Sequence, residues 1–206
     1  MRNPCGGGEI CKDDPEKMQP QEFEDAKLLW KKYYAVQCFK HAQVAAEYIL
    51  QNKIAEDDPV FFPLITAVYV LYGRPFKRTK GVGVLGKEII PQEHLELHQS
   101  ILDHRDQIYA HSDAIGFELA DVGQANQVRA KRLSTETLLL RSQYQATPEL
   151  LPHIIKLCQE LQEKTLAHVN QLFAQYGKNI PAKLGEYVLN IDNPAGDFFE
   201  LAKPVI

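Results

Sequence analysis

The chain has 206 residues, 23 Lys and Arg against 27 Asp and Glu, a formal charge of −4, and apolar side chains at 45% of positions. That mixture is ordinary for a globular domain and supplies a full core without disulfide or metal staples. The longest apolar run, Val60–Tyr72, is far shorter than the roughly 18 residues of a membrane span, and Met1–Lys12 lacks the apolar stretch of a secretory signal, so a cytoplasmic protein with no membrane contact is expected.

The four cysteines read in two ways. Cys38 and Cys158 fall within helical apolar patterns, as small buried hydrophobes do. Cys5 and Cys11 flank Gly6-Gly7-Gly8 and have no further thiol or imidazole nearby to complete a metal clip. Residues 1–20, polar and rich in Gly and Pro, are expected to form a disordered tail.

A helical domain is expected over 21–178. From Gln21 to about Ile54, Trp30, Tyr34, Cys38, Ala42, Ala45 and Ile49 recur at three- and four-residue steps, while Lys40, Gln43, Glu47 and Gln51 mark a wet face. Asp58 then reads as an N-cap with Pro59 at N1, opening a second helix that is apolar nearly all round. Gly73 is the expected C′ residue, and Pro75 blocks continuation. A third helix starts near Pro91 and fades around His111 to Asp113. Asn126–Leu133 and Glu136–Gln143, with Ser134-Thr135 between them, are expected to pair as a hairpin. Thr147-Pro148-Glu149 opens a fourth helix, with Leu150, Ile154, Leu157, Leu161, Val169, Leu172 and Phe173 on its apolar face and Gly177 at its end. Residues 179–206, with Pro181, Pro194 and Pro204, read as a mostly irregular C-terminal extension. The fold class is mainly α: a helical bundle of about four long helices, a small β-hairpin element and irregular termini.

Four of the seven histidines, His94, His98, His104 and His111, lie on the third helix. On a helical wheel with Leu95 at zero, Leu97, Ile101, Leu102, Ile108 and Tyr109 share one arc, and Arg105 falls inside it at about 280°. A cation on an apolar stripe is costly unless it meets an anion or a ligand. Either Arg105 pairs with a carboxylate of its own bundle and fixes packing, or the stripe lines a groove where it meets a phosphate.

His98 to Asp113, carrying Arg105-Asp106 and then His111 and Ser112, resembles the signature of HEPN-type helical domains: an Arg, often followed by a polar residue, then a His near the end of a helix. The resemblance loosely covers 23–176 and is specific over 98–113. It implies a homodimer in which both motif copies line one cleft, and metal-independent cleavage of RNA. His111 would move the ribose 2′-hydroxyl proton, Arg105 would steady the scissile phosphate, and Asp106 would orient its neighbours. Non-catalytic members of the group are also known. On an ideal helix Arg105 and His111 stand about 120° and about 9 Å apart, so they act together only if the helix unwinds or a substrate bridges them.

Three other features bear on function. His94 and His98 are spaced as metal ligands at i and i+4, but Glu96 points away and further ligands are not evident, so packing or interface roles are expected, with no metal and no cofactor. Gly81-Val-Gly83-Val-Leu-Gly86 spells a dinucleotide fingerprint without the strand and helix that one needs. The surrounding loop carries Arg74, Lys77, Arg78, Lys80 and Lys87 with no acid across 74–87, a local charge of +5 against −9 for the remaining chain. Such a loop suits phosphate binding, or is simply a solvated surface. Arg129, Lys131, Arg132 and Arg141 give the hairpin a weaker basic tilt. No Ser-His-Asp or Cys-His arrangement and no P-loop is legible. The expectation is therefore a HEPN-like homodimer acting on or binding RNA. The alternatives are a non-catalytic helical module with a protein partner and a binder of small ligands or nucleotides.

Overall fold

The computed structural model describes residues 18–78, 80, 83–106, 118–119, 123–124, 127–132, 134–135, 137–143 and 148–202. Cys5, Cys11 and His111 lie outside them. The fold is mainly α, with helices α1 (Pro20–Gln51), α2 (Phe61–Gly73), α3 (Leu95–His104) and α4 (Leu151–Tyr176). No helix among the described residues is long and apolar enough to cross a membrane.

Helix α1 starts at Pro20, whose fixed φ suits a first helical position. The Gln19 N–H donates to Glu22 Oε2 at 2.9 Å, satisfying one of the open amides of the first turn. Met18 is buried beside Ala26 and Leu29, so packed chain reaches into the segment expected to be tail. At the other end Asn52 Nδ2 donates to the Tyr48 carbonyl at 2.9 Å, and Lys53 turns to φ 50°, stopping the helix before the expected Ile54. The stripe also differs from its prediction. Phe39, with no exposed surface, and Ala35 and Ala46 lie at its centre, whereas Trp30 and Tyr34 stack on each other at 5.1 Å and stay half-buried.

Helix α2 begins later than Asp58. Asp58 acts through its side chain, accepting the Val60 N–H at 2.8 Å, and through its carbonyl, accepting the Phe61 N–H at 3.0 Å. Gly73 is not a left-handed stop. It has φ −76°, and the chain runs straight on into a 3₁₀ turn, Arg74–Phe76, with Pro75 near its start. Pro75 has no N–H to carry the hydrogen-bond ladder of α2 onward, so the helix gives way to the tighter turn there.

Three pairs crossing α1 and α4 set their relative direction. Tyr176 donates to Asp25 Oδ2 at 2.5 Å, Lys32 Nζ lies 2.9 Å from His168 Nδ1, and Gln162 donates to Gln43 at 2.6 Å. The two series run opposite ways, so the helices are antiparallel. Helix α2 returns along α1 as the second arm of a helical hairpin, with Phe39 against Tyr72. The main core is the space these three share, filled by Phe39, Ile65, Tyr69, Tyr72, Leu157 and Leu161, and α3 closes it with Ile101 and Leu102.

Strands β1 (Glu118–Leu119) and β2 (Gly123–Gln124) form one small antiparallel pair. Strands β3 (Gln127–Arg132) and β4 (Leu138–Gln143) form the expected hairpin, from Gln127 opposite Gln143 to Arg132 opposite Leu138. Its turn closes through Ser134 Oγ, which accepts the Thr137 N–H at 3.0 Å.

The C-terminal extension is more ordered than its prolines suggest. Strands β5 (Tyr187–Leu189) and β6 (Phe199–Leu201) pair antiparallel. Buried Asn190 organises the connection between them. Its amide donates to the carbonyls of Asn193 at 2.8 Å and Asp197 at 3.0 Å, and its Oδ1 accepts the Asn193 N–H at 3.0 Å. Phe198 stacks on Tyr176 at 4.5 Å, and with Phe199, Met18 and Val169 makes a second core at the far end of the α1–α4 pair. The extension is thus packed on the bundle. Two three-residue strands are too short to show a period, which is why the sequence hid them.

Phe39→Ala is expected to cost about 3–5 kcal/mol in urea unfolding, since the cavity opens where three helices meet. Tyr33→Ala, nearly two helical turns away and 55% exposed, should stay within about 0.5 kcal/mol. Similar losses for both would contradict this placement of the core.

Candidate functional site

Beyond α3 the backbone passes into a wider, π-type turn at 105–106. Arg105 leaves the helix end there and lies back over α2. A Cβ placed on Gly73 would sit 3.0 Å from Arg105 Cδ and 3.3 Å from Cγ. Gly73 is therefore needed for closeness of approach and not for an unusual φ. Arg105 Nη1 donates to Asp106 Oδ1 at 2.5 Å, and Lys77 donates to the other carboxylate oxygen, Oδ2. The side chain of Arg105 is 17% exposed, and its Nε is buried with no hydrogen-bond partner. The cation on the apolar arc thus meets an anion of its own chain, while its buried Nε donor goes unused.

Asp106 is shared by two cations. Partial burial opposes its ionisation, but the hydrogen bonds and charges of Lys77 and Arg105 outweigh that and hold its carboxyl below the usual range. Two positive charges on one negative leave a local excess of +1 at a half-exposed position.

The basic loop leaves the core from this point. Pro75 and Phe76 are buried at its start, and Leu85, Ile89 and Ile90 are buried at its end. The Leu85 N–H donates to the Pro75 carbonyl at 2.8 Å, drawing the two ends together. Between these anchors Arg78, Lys80 and Lys87 are exposed, as is Arg74. Arg74 lies against Tyr34 and Cys38 of α1. Of the three loop glycines, Gly83 alone is seen to take a left-handed φ, +84°, and Gly81 lies outside the described residues. Lys31 Nζ of α1 reaches the Gly83 face, 3.8 Å from where a Cβ would stand. Lys31 therefore extends the basic surface. Sequence reading missed it because more than 50 residues separate it from Gly83. Beside it, Glu88 acts on Lys32, whose pKa is lowered chiefly by burial while Glu88 opposes the fall.

The structure brings Arg105, Asp106 and Lys77 together and sets Arg74 one turn away from them at the head of the same loop. His111, Tyr109, Ser112 and Asp113 lie outside the described residues. The three other histidines expected on this helix part company, His98 and His104 in α3 and His94 in the 3₁₀ turn before it. His98 is 1% exposed, with Nδ1 2.8 Å from the Tyr72 hydroxyl and its ring edge-on to Phe76 at 4.6 Å. His104 places Nδ1 2.7 Å from the Ser100 carbonyl, so that nitrogen carries the proton, and its ring stacks on Tyr69 at 5.5 Å. Both are core histidines. His94 instead faces α4, with Nε2 3.5 Å from Glu160 Oε2.

Comparison of the chain with protein-family models, with curated proteins and with solved structures returned no match.

Two predictions follow from this geometry. Gly73→Ala should push against the Arg105 stem and cost about 1–2 kcal/mol. The same change in an Arg105→Ala background should cost much less, so a double-mutant cycle on urea midpoints reads the contact directly. The second concerns acid. Burial, helped by the charge of Lys87, pushes the His98 pKa down to about 4 from 6.5. Between those values the unfolded chain binds the proton more readily than the folded one, so stability is full above about pH 6.5 and falls as pH drops toward 4. Asp106, also depressed, acts in the same direction further into acid. Between pH 7 and 5 the His98 contribution is expected to fall by about 2 kcal/mol, and His98→Gln should flatten that part of the profile.

Proposed function

We propose that this chain is a HEPN-like helical protein that binds RNA along the basic loop, as a homodimer. The observation that carries the reading is the convergence of Arg105 and Lys77 on a single carboxylate at the root of a loop whose further cations, Arg74, Arg78, Lys80 and Lys87, are exposed. Phosphates attract such a surface through charge and counterion release without requiring a base-specific contact. Lys31, brought in from α1, widens the same face. In the catalytic form of the proposal, Arg105 steadies the developing charge on a phosphate, and His111 takes the 2′-hydroxyl proton and returns one to the leaving oxygen. Asp106 holds Arg105 in place between turnovers.

A specific observation favours a second reading, in which the domain is non-catalytic. Arg105 is already pinned between Gly73 and Asp106, the arrangement a purely structural guanidinium would have.

Anisotropy titrations with single-stranded RNA at several salt concentrations test the binding. Replacing Lys77, Arg78 and Lys80 together by Ala is expected to weaken binding at every sequence and to lower the salt slope by about 2, the value for three lost phosphate contacts. No binding by the unaltered protein at low salt would sink the proposal. Cleavage assays in chelator then separate the two forms. Activity lost in both Arg105→Ala and His111→Ala supports catalysis. RNA binding without cleavage supports the non-catalytic module.

A further inference from the structure

Glu93 and His94 lie in the 3₁₀ turn Gln92–His94 that leads into α3, and Glu160 is in the middle of α4. Across that junction one donor atom from each of the three lies within 4.8 Å of the other two. We propose that Glu93, His94 and Glu160 form a binding site for a divalent transition-metal ion of the zinc class.

Three features of the geometry support a metal over a plain ion pair. First, His94 Nε2 is buried and has no hydrogen-bond partner, because the Glu160 oxygen at 3.5 Å is beyond ordinary hydrogen-bonding distance. A buried imidazole nitrogen left in that state is costly, and a metal ion would satisfy its lone pair. Second, 3.5 Å matches a different geometry. Tetrahedral zinc with bonds of about 2.1 Å separates neighbouring donors by about 3.4 Å. Third, two carboxylates share the space with the imidazole, and like charges so close are stabilised by a cation between them. The available one is poorly placed. Lys156 Nζ is 3.9 Å from Glu160 Oε1, on an exposed side chain, which leaves Oε2 for the ion.

The donor set of one imidazole and two carboxylates suits zinc, cobalt or manganese. Glu93 is exposed and free to close the remaining distance by a side-chain rotation. Three protein donors leave a fourth position for water. The ion would fasten the start of α3 to α4, about 16 Å along α3 from Arg105, so the site is independent of the RNA reading.

The thiols of Cys5 and Cys11 would compete for zinc, so the experiment uses the full chain with Cys5→Ser and Cys11→Ser. Calorimetric titration with Zn2+ is expected to show one saturable site per chain. Thermal unfolding should shift upward with Zn2+ and fall back with chelator. Co2+ should give visible d–d bands without thiolate charge-transfer absorption. His94→Gln and Glu160→Gln should each weaken binding at least tenfold and abolish the thermal shift, while far-UV dichroism without metal stays unchanged. If either variant fails to fold, Glu93→Gln at the exposed position provides the measurement, with a several-fold loss expected. Absence of saturable binding, or unaltered affinity in the folded variants, overturns the proposal.

Discussion

An aromatic node holds in shape the end of the bundle that carries Arg105 and the basic loop. Phe39 of α1, Tyr72 of α2, Phe76 of the following turn and His98 of α3 meet with ring centroids 4.6–5.9 Å apart, and the Tyr72 hydroxyl is hydrogen-bonded to His98. The basic loop and Arg105 both leave the core near it. The basic loop departs immediately after Phe76, and Arg105 follows His98 by two turns of helix. A shift in the node would therefore move the loop and the guanidinium together. The imidazole must also remain neutral, because a charged ring there would be buried without a counter-ion.

Arg105 shows how a costly group is accommodated at such a place. Its aliphatic stem crosses α2 where a glycine leaves room, and its head reaches a carboxylate that Lys77 also holds. The arrangement covers the stem in apolar surroundings while keeping the charge near water. It also links the end of α3 to the first lysine of the loop, so the cations there are held on a rigid base rather than on free chain. A phosphate approaching this face would meet charges whose positions are already set, which lowers the ordering cost of binding.

The helices were legible because long periodic segments carry their own signal. α1, α2 and α4 lie close to their predicted spans, and the β3–β4 hairpin follows from two short runs around Ser134-Thr135. The boundaries were less legible, since Asp58 and Gly73 have the chemistry of caps but serve other contacts. The C-terminal hairpin was not legible at all. Its order comes from Asn190, from Phe198 finding Tyr176 and from Phe199 finding Phe173, none of which has a periodic signature.

For the candidate sites the division is sharper. The amino-acid order alone determined that Arg105 lies on an apolar helical face and that the segment 74–87 concentrates positive charge, because both are matters of local spacing. Only tertiary structure decided what those charges meet: Asp106 shared with Lys77, Lys31 beside Gly83, and Glu160 brought to His94 from 66 positions away. Charge and coordination act over a few ångströms in space. Helical periodicity reports only which face a residue occupies, and the partner on the facing helix is chosen by how the core packs.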